Sequence, residues 1–221
     1  MGYEFDFSAI AENLGLLLHG AAVTLILTAI AATLGIALSI GGAATSRWGL
    51  GWARKLVAAY VELIRNTPFI VQLFFVFFGL PSLGIKMSAL TAAVLAMTIN
   101  LTAYSIEIVR AGIEAVPPGQ REAGFALGVT PVAVFIYIIL PQAIANVYPA
   151  LVSQIIITML ESAVVSQIAV TDLTHAGDFI QSRTYRAFET YFVIAVIYLG
   201  MALVLRWAFD RAGRRLFAGR R

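Results

Sequence analysis

The chain of 221 residues has no cysteine, which removes disulfides, thiolate catalysis and cysteine-based metal sites from consideration. It is also poor in charge. Asp, Glu, Lys and Arg make up 12% of the residues, against roughly 25% in typical soluble domains, while hydrophobic residues reach 60%. That balance excludes an ordinary water-soluble fold and indicates a polytopic membrane protein of one domain, with little chain left for an extramembrane catalytic module. Other absences narrow the function. No Gly-x-x-x-x-Gly-Lys-Ser/Thr run occurs, so any nucleotide must be bound elsewhere. No His-Glu-x-x-His, acidic metal cluster or paired serine and histidine points to an intramembrane hydrolase. The N-terminal MGYEFDFSAIAEN carries acids but no basic residue, unlike a cleaved leader, so no signal peptide is expected to be removed.

Charge-free stretches mark the spans. Residues 13–46 contain no Asp, Glu, Lys or Arg, and a span needs only about 20 apolar residues. The expected fold is all-α, a helix bundle with five transmembrane helices at about 16–43, 53–80, 88–110, 147–170 and 191–209. Gly35, Gly41 and Gly42 suit close helix approach on the first. Pro68 is expected to kink the second one turn later. Pro141 and Pro149 are expected to divide the long uncharged run between Glu122 and Glu161. Residues 171–190 carry mixed charge and read as an outer loop, with His19 at the outer interface. Arg47, Arg54 and Lys55, together with Arg206, Arg211, Arg214, Arg215, Arg220 and Arg221, flank apolar runs. In that setting they set orientation rather than bind nucleic acid, giving an N-terminus outside and a C-terminus inside.

Polar residues inside the spans are the candidate functional groups. Asn100, Tyr104 and Glu107 are spaced by four and three and form one stripe, which must face protein or water. Glu161 stands alone in the fourth span, with Gln154 seven residues earlier on the same face and Ser162 beside it. Glu62 with Arg65, and Glu107 with Arg110, are each three apart and are expected to form ion pairs. The first pair suits either the membrane interface or the pore.

The stretch 117–141, PPGQREAGFALGVTPVAVFIYIILP, reads as a compact inner elbow. Pro117, Pro118 and Gly119 end the preceding helix, Gly128 suits the left-handed position that closes a short helix, and Thr130-Pro131 restarts one as N-cap and first residue. As a generic pattern this could be an ordinary connection. Its residues are more specific. Glu122-Ala123-Gly124, Gly128 four residues on and Leu140-Pro141 resemble the EAA loop of the membrane subunits of ABC importers. The runs 107–120, 65–72 (RNTPFIVQ) and 182–186 (SRTYR) before Phe188-Glu189 resemble the polar-amino-acid branch of that family. The resemblance covers about residues 14–206.

The resemblance implies a type I ABC importer permease fold in the bacterial inner membrane, and an elbow seated in a groove of a partner ATPase. Gly119, Glu122, Ala123, Gly124, Gly128 and Pro141 would be the coupling residues. ATP and magnesium would lie on that partner, with no cofactor on this chain. A second permease subunit and an external amino-acid-binding protein would complete the assembly. Where relatives carry polar or basic residues midway along the second elbow helix, Ile136 and Tyr137 stand here, so no ATPase contact is assigned to them. Where relatives often have Lys-[Asp/Asn]-Thr-Ser-Leu, this chain has Leu160-Glu161-Ser162-Ala163-Val164. Loss of the lysine with the acid kept implies that Glu161, with Asn100, Tyr104, Gln154 and Ser162 along the path, meets an ammonium or guanidinium group. A buried structural pair with a neighbouring helix is the competing role. The alternative to an ATP-driven importer is an ATP-independent channel or secondary carrier with a cytoplasmic gating loop.

Overall fold

A computed structural model describes residues 4–217, so Arg220 and Arg221 lie outside the described residues. It is helical throughout, with no strand among them. A short helix α1, Ser8–Glu12, leads into α2, Leu14–Trp48, 35 residues long. At 1.5 Å per residue α2 is roughly 50 Å, longer than a hydrocarbon core of about 30 Å.

The second expected span is two helices. Helix α3, Gly51–Arg65, stops, and α4, Phe69–Ser82, sets off at 109° to it. The turn comes at Asn66-Thr67-Pro68, not one turn after the proline. A residue preceding proline is pushed out of helical geometry, so Thr67 cannot continue α3, and Pro68 is itself extended (ψ 140°) as the cap of α4. Helix α5, Ala89–Glu114, begins at Ser88, whose Oγ accepts the Thr91 N–H at 3.1 Å. After the small helix α6, Pro118–Ala126, the chain restarts as α7, Pro131–Ile168, and runs unbroken for 38 residues. Pro141 and Pro149 therefore do not divide the stretch, and the expected start at residue 147 falls inside one helix. Residues Val134–Ile139, just ahead of Pro141, are wound as a wider π-helix, a form of turn that absorbs an interrupted hydrogen-bond ladder. The same device, Phe75–Gly79, precedes Pro81 in α4. Helix α7 finishes in a tighter 3₁₀ stretch, Ser162–Ile168.

The expected outer loop is also helical. Helix α8, Leu173–Thr184, is capped by Asp172 and ends at Tyr185, whose φ of 56° is left-handed. The last helix, α9, is Ala187–Leu216.

Among the described residues four helices, α2, α5, α7 and α9, are long and apolar enough to cross a membrane, and the bent pair α3–α4 makes a fifth crossing if counted as one. Their burial differs sharply. The apolar window of α5 is 67% buried and that of α9 only 6%, so α5 is the central post and α9 faces outward. Alanines 92, 93, 96 and 103 of α5 are completely buried, because small side chains let neighbouring helices close in. Gly35 and Gly42 of α2 abut Leu101 and Ile106 of α5, as expected, whereas Gly41 meets nothing.

The bundle has two unlike ends. One gathers Trp48 at the end of α2, the stretch 114–139 and Phe217 after α9, through Trp48 against Phe135 and Tyr148 against Phe217. The other gathers α1, the start of α2, α8 and the start of α9 around Leu17, Leu173, Ile180 and Ile194.

Candidate functional site

The elbow forms from local rules. Helix α6 closes with Gly128 at φ 74°, the Gly128 N–H bonded to the Phe125 carbonyl (3.0 Å) and the Val129 N–H to that of Gly124 (3.1 Å), the two bonds of a Schellman motif. Thr130 Oγ1 then accepts the Ala133 N–H and Pro131 opens α7. Gly124 is buried where α6 crosses α7. A Cβ there would lie 2.8 Å from the Val134 side chain, so glycine sets the closeness of the crossing. Gly119, Glu122 and Ala123 are exposed along the outer face of α6, and Gly128 at its end. Pro141 lies on α7 beside a groove of about 590 Å³ that also includes Pro117, Tyr137 and Asn146. Ile136 and Tyr137 are both exposed, Tyr137 at 77%.

Beside the elbow lies a polar cavity of about 690 Å³ between α3 and α5, lined by Arg54, Glu62, Arg65, Tyr104, Glu107 and Arg110 among others. Glu107 and Arg110 form the expected pair at 2.8 Å, and Arg110 also reaches Glu114 at 2.8 Å. The expected Glu62–Arg65 pair does not form. Because α3 ends at Arg65, the Asn66 side chain folds back and donates to Glu62 at 3.0 Å. Arg65 instead points to α5, 3.9 Å from Glu107 and over the Tyr104 ring at 5.4 Å.

The candidate path residues are spread along the bundle. Tyr104 lines this cavity, but Asn100, Gln154, Glu161 and Ser162 do not. Asn100 and Gln154 are buried mid-bundle. Ser162 is fully buried and donates to the Met159 carbonyl, a helix-internal role. Glu161 is half-buried towards the other end, and the competing structural pair is not formed with any of the described residues.

Two carboxylates more deeply buried than Glu161 lie in the stretch read as an outer loop. Asp172 is fully buried. It accepts the His175 N–H at 2.9 Å and the Tyr198 hydroxyl at 3.3 Å, and burial pushes its carboxyl up to about 6 against those hydrogen bonds. Gly20 of α2 lies so close to it that a Cβ would be 2.7 Å from the Asp172 carbonyl oxygen. Glu189, also fully buried, accepts from Arg186 and from the Asp6 N–H, both at 3.2 Å, while Arg186 holds the Glu4 carbonyl at 2.7 Å. The available signals were an Asp two residues past an apolar run and before a helix-forming stretch, and an Arg-x-x-Glu spacing. Among the described residues no three His, Cys, Asp or Glu gather to hold a metal.

A multi-pass helical bundle with a buried central helix, a bent span and an exposed elbow at one end is the build of a membrane-embedded protein. The chain belongs to the family of binding-protein-dependent transport system inner membrane components, whose pattern matches residues 31–218, and is a permease subunit of the ABC importer class. It is 35% identical over 216 residues to the glutamine transport system permease protein GlnP of Escherichia coli (strain K12), covering 96% of this chain and 98% of that protein. With the arginine transport system permease protein ArtQ of Bacillus subtilis (strain 168) it shares 36% over 218 residues, covering 96% and 98%. Among solved structures, an amino acid ABC transporter with histidines superposes with a TM-score of 0.86 at 41% identity, covering 96% of this chain and all of that one. An inward-facing MetNI methionine ABC transporter superposes at 0.76 with 22% identity over 92% of this chain and 97% of that one, a likeness of fold alone.

Proposed function

We propose that this permease carries polar or charged amino acids into the cell across a bacterial cytoplasmic membrane, driven by ATP hydrolysed on a separate subunit. The observation that carries the reading is the elbow. It presents Glu122 and Ala123 to solvent on a short helix whose far side is locked to α7 through Gly124, so a push on α6 is delivered to the start of a 38-residue helix. The elbow lies at the end of the bundle that carries Arg47 and Arg121, beside Phe217 and the arginines of α9. A basic end supports a cytoplasmic placement, with the N-terminus outside and the C-terminus inside.

In this mechanism two ATPase subunits, holding ATP and magnesium, close and carry the elbows of two permeases with them. The second permease is another copy or a similar chain. Rigid-body movement of α6 and α7 then opens the path alternately to each side. An external binding protein delivers the amino acid, and Glu161, without an ion-pair partner among the described residues, meets its ammonium or guanidinium group. The amino-acid relatives support the substrate class.

Co-expression with an ABC ATPase subunit and purification through the permease checks the coupling. Wild type retains the ATPase, and Glu122→Lys or Gly128→Asp loses it. Uptake by the permease alone in liposomes, without ATPase or ATP, would sink the reading in favour of a channel or carrier. For the substrate role, Glu161→Gln is expected to weaken import of L-arginine about tenfold, and unchanged import of cationic and polar amino acids would remove it.

A further inference from the structure

The break in the second span contains a side chain that neither the elbow nor the path accounts for. Gln72, on the first turn of α4, folds back across the break. Its Nε2 lies 2.8 Å from the Ile64 carbonyl, 3.0 Å from the Thr67 carbonyl and 2.9 Å from Thr67 Oγ1. The two carbonyls can only accept, so the nitrogen of this amide must face them and its oxygen must face away. That oxygen accepts from Asn100 Nδ2 of α5 at 3.0 Å. The orientation is thereby passed on. Asn100 gives an N–H to Gln72, and its Oδ1, in a residue only 3% exposed, has no hydrogen-bond partner among the described residues. An unpaired acceptor at such depth is rare in folded chains and marks a place where another donor belongs.

We infer that Gln72 is a positioning residue for substrate recognition: the Ile64 and Thr67 carbonyls at the break orient its amide, which in turn fixes Asn100 so that the latter offers an acceptor, not a donor, to an N–H group of the passing amino acid. This deepens the amino-acid import reading and rests on it. The break is then more than a bend. Ending α3 at Arg65 leaves the Ile64 carbonyl with only long contacts from Thr67, its N–H at 3.4 Å and its hydroxyl at 3.3 Å, so the 2.8 Å bond from Gln72 is the short one and sets which way the polar chain runs. Both halves of the broken span are fastened to the same stretch of α5, by the Tyr60 hydroxyl on the Ile99 carbonyl, Gln72 on Asn100, and Arg65 on Glu107. The acceptor is sealed within the protomer, so it becomes available to substrate when α5 and its neighbours part during the transport cycle.

The test is equilibrium binding of L-arginine and of L-glutamine to the nucleotide-free permease–ATPase complex in detergent, without binding protein. Gln72→Met keeps the bulk and removes the hydrogen bonds. It is expected to weaken binding about tenfold, as is Asn100→Leu, and the double variant no further, because both remove one presented acceptor. Wild-type affinity in Gln72→Met, or losses that multiply in the double variant, would overturn the inference while leaving amino-acid import intact. Should Gln72→Met fail to assemble, Asn100→Leu decides: it removes the presented acceptor outright, and wild-type affinity for L-arginine and L-glutamine in that variant would overturn the inference. If the wild-type complex imports neither L-arginine nor L-glutamine, the import reading falls and takes this inference with it.

Discussion

The two polar ends of the bundle handle charge in opposite ways. At the elbow, Glu122 and its neighbours stand in solvent on a helix closed by a left-handed glycine and restarted by a threonine and a proline. At the other end, Asp172 and Glu189 are drawn completely out of solvent, one tied to Tyr198 and His175 and the other to Arg186 and the N-terminal segment. The exposed end keeps its charges available and takes its shape from backbone rules. The buried end takes its shape from side chains paired across distant parts of the chain. The first should therefore fail in function when mutated, the second in stability.

The strongest way to break this contrast is Glu189→Ala. It strips a buried acceptor from Arg186 and the Asp6 N–H, and should cost about 3 kcal/mol, read as a lowered thermal unfolding midpoint of the detergent-solubilised protein. A variant as stable as wild type would show that the cap is not what seals this end.

Asp172 should come next, and with a pH signature. Its folded carboxyl titrates near 6 against an ordinary 3.8, raised by burial, so the protonated form is the one the fold prefers. Its contribution to stability is fully present below about pH 4 and is lost as pH rises through about 6, a change on the order of 2–3 kcal/mol. Asp172→Asn keeps the cap acceptor and should flatten the stability profile across that window. An unaltered profile would assign the dependence to another group.

Gly128→Ala carries the contrast to the elbow. Open space surrounds the position, so only the left-handed backbone resists, and the loss should be about 1 kcal/mol by the same unfolding measurement. A loss several times larger would mean that the elbow is held by packing at this point. Smallest of all in stability is Glu122→Lys, within about 0.5 kcal/mol of wild type because the side chain is exposed. Its full effect should appear as loss of ATPase co-purification, and retention of the ATPase would sever Glu122 from coupling.

The same contrast explains what could be read in advance. The elbow was legible because a positive-φ glycine, a Thr-Pro start and a glycine at the crossing are chemistry within a dozen residues. The Glu107–Arg110 pair was legible for the same reason, lying on one turn of one helix. Glu62–Arg65 had equal spacing and did not form, since the end of α3 gave Glu62 a nearer partner in Asn66 and turned Arg65 to another helix. Prolines misled in both directions. Pro68 ends a helix outright where only a kink was expected, and Pro141 sits in a continuous helix because a π turn ahead of it takes up the missing bond. Gln72 gave no signal of its own, since its four hydrogen bonds run to Ile64, Thr67 and Asn100 across a break whose angle no local pattern encodes.

The sequence by itself determined that this chain lives in a membrane, which stretches are apolar enough to cross it, and that it carries an elbow of the ABC importer kind, because apolar runs and turn residues act over short distances. Only the tertiary structure decided that the second span is broken through 109°, that a supposed loop is a helix capped by a buried carboxylate, and which polar residues meet. Those outcomes depend on which helices lie side by side, and in a bundle where nearly every face is apolar, hydrophobicity alone cannot say.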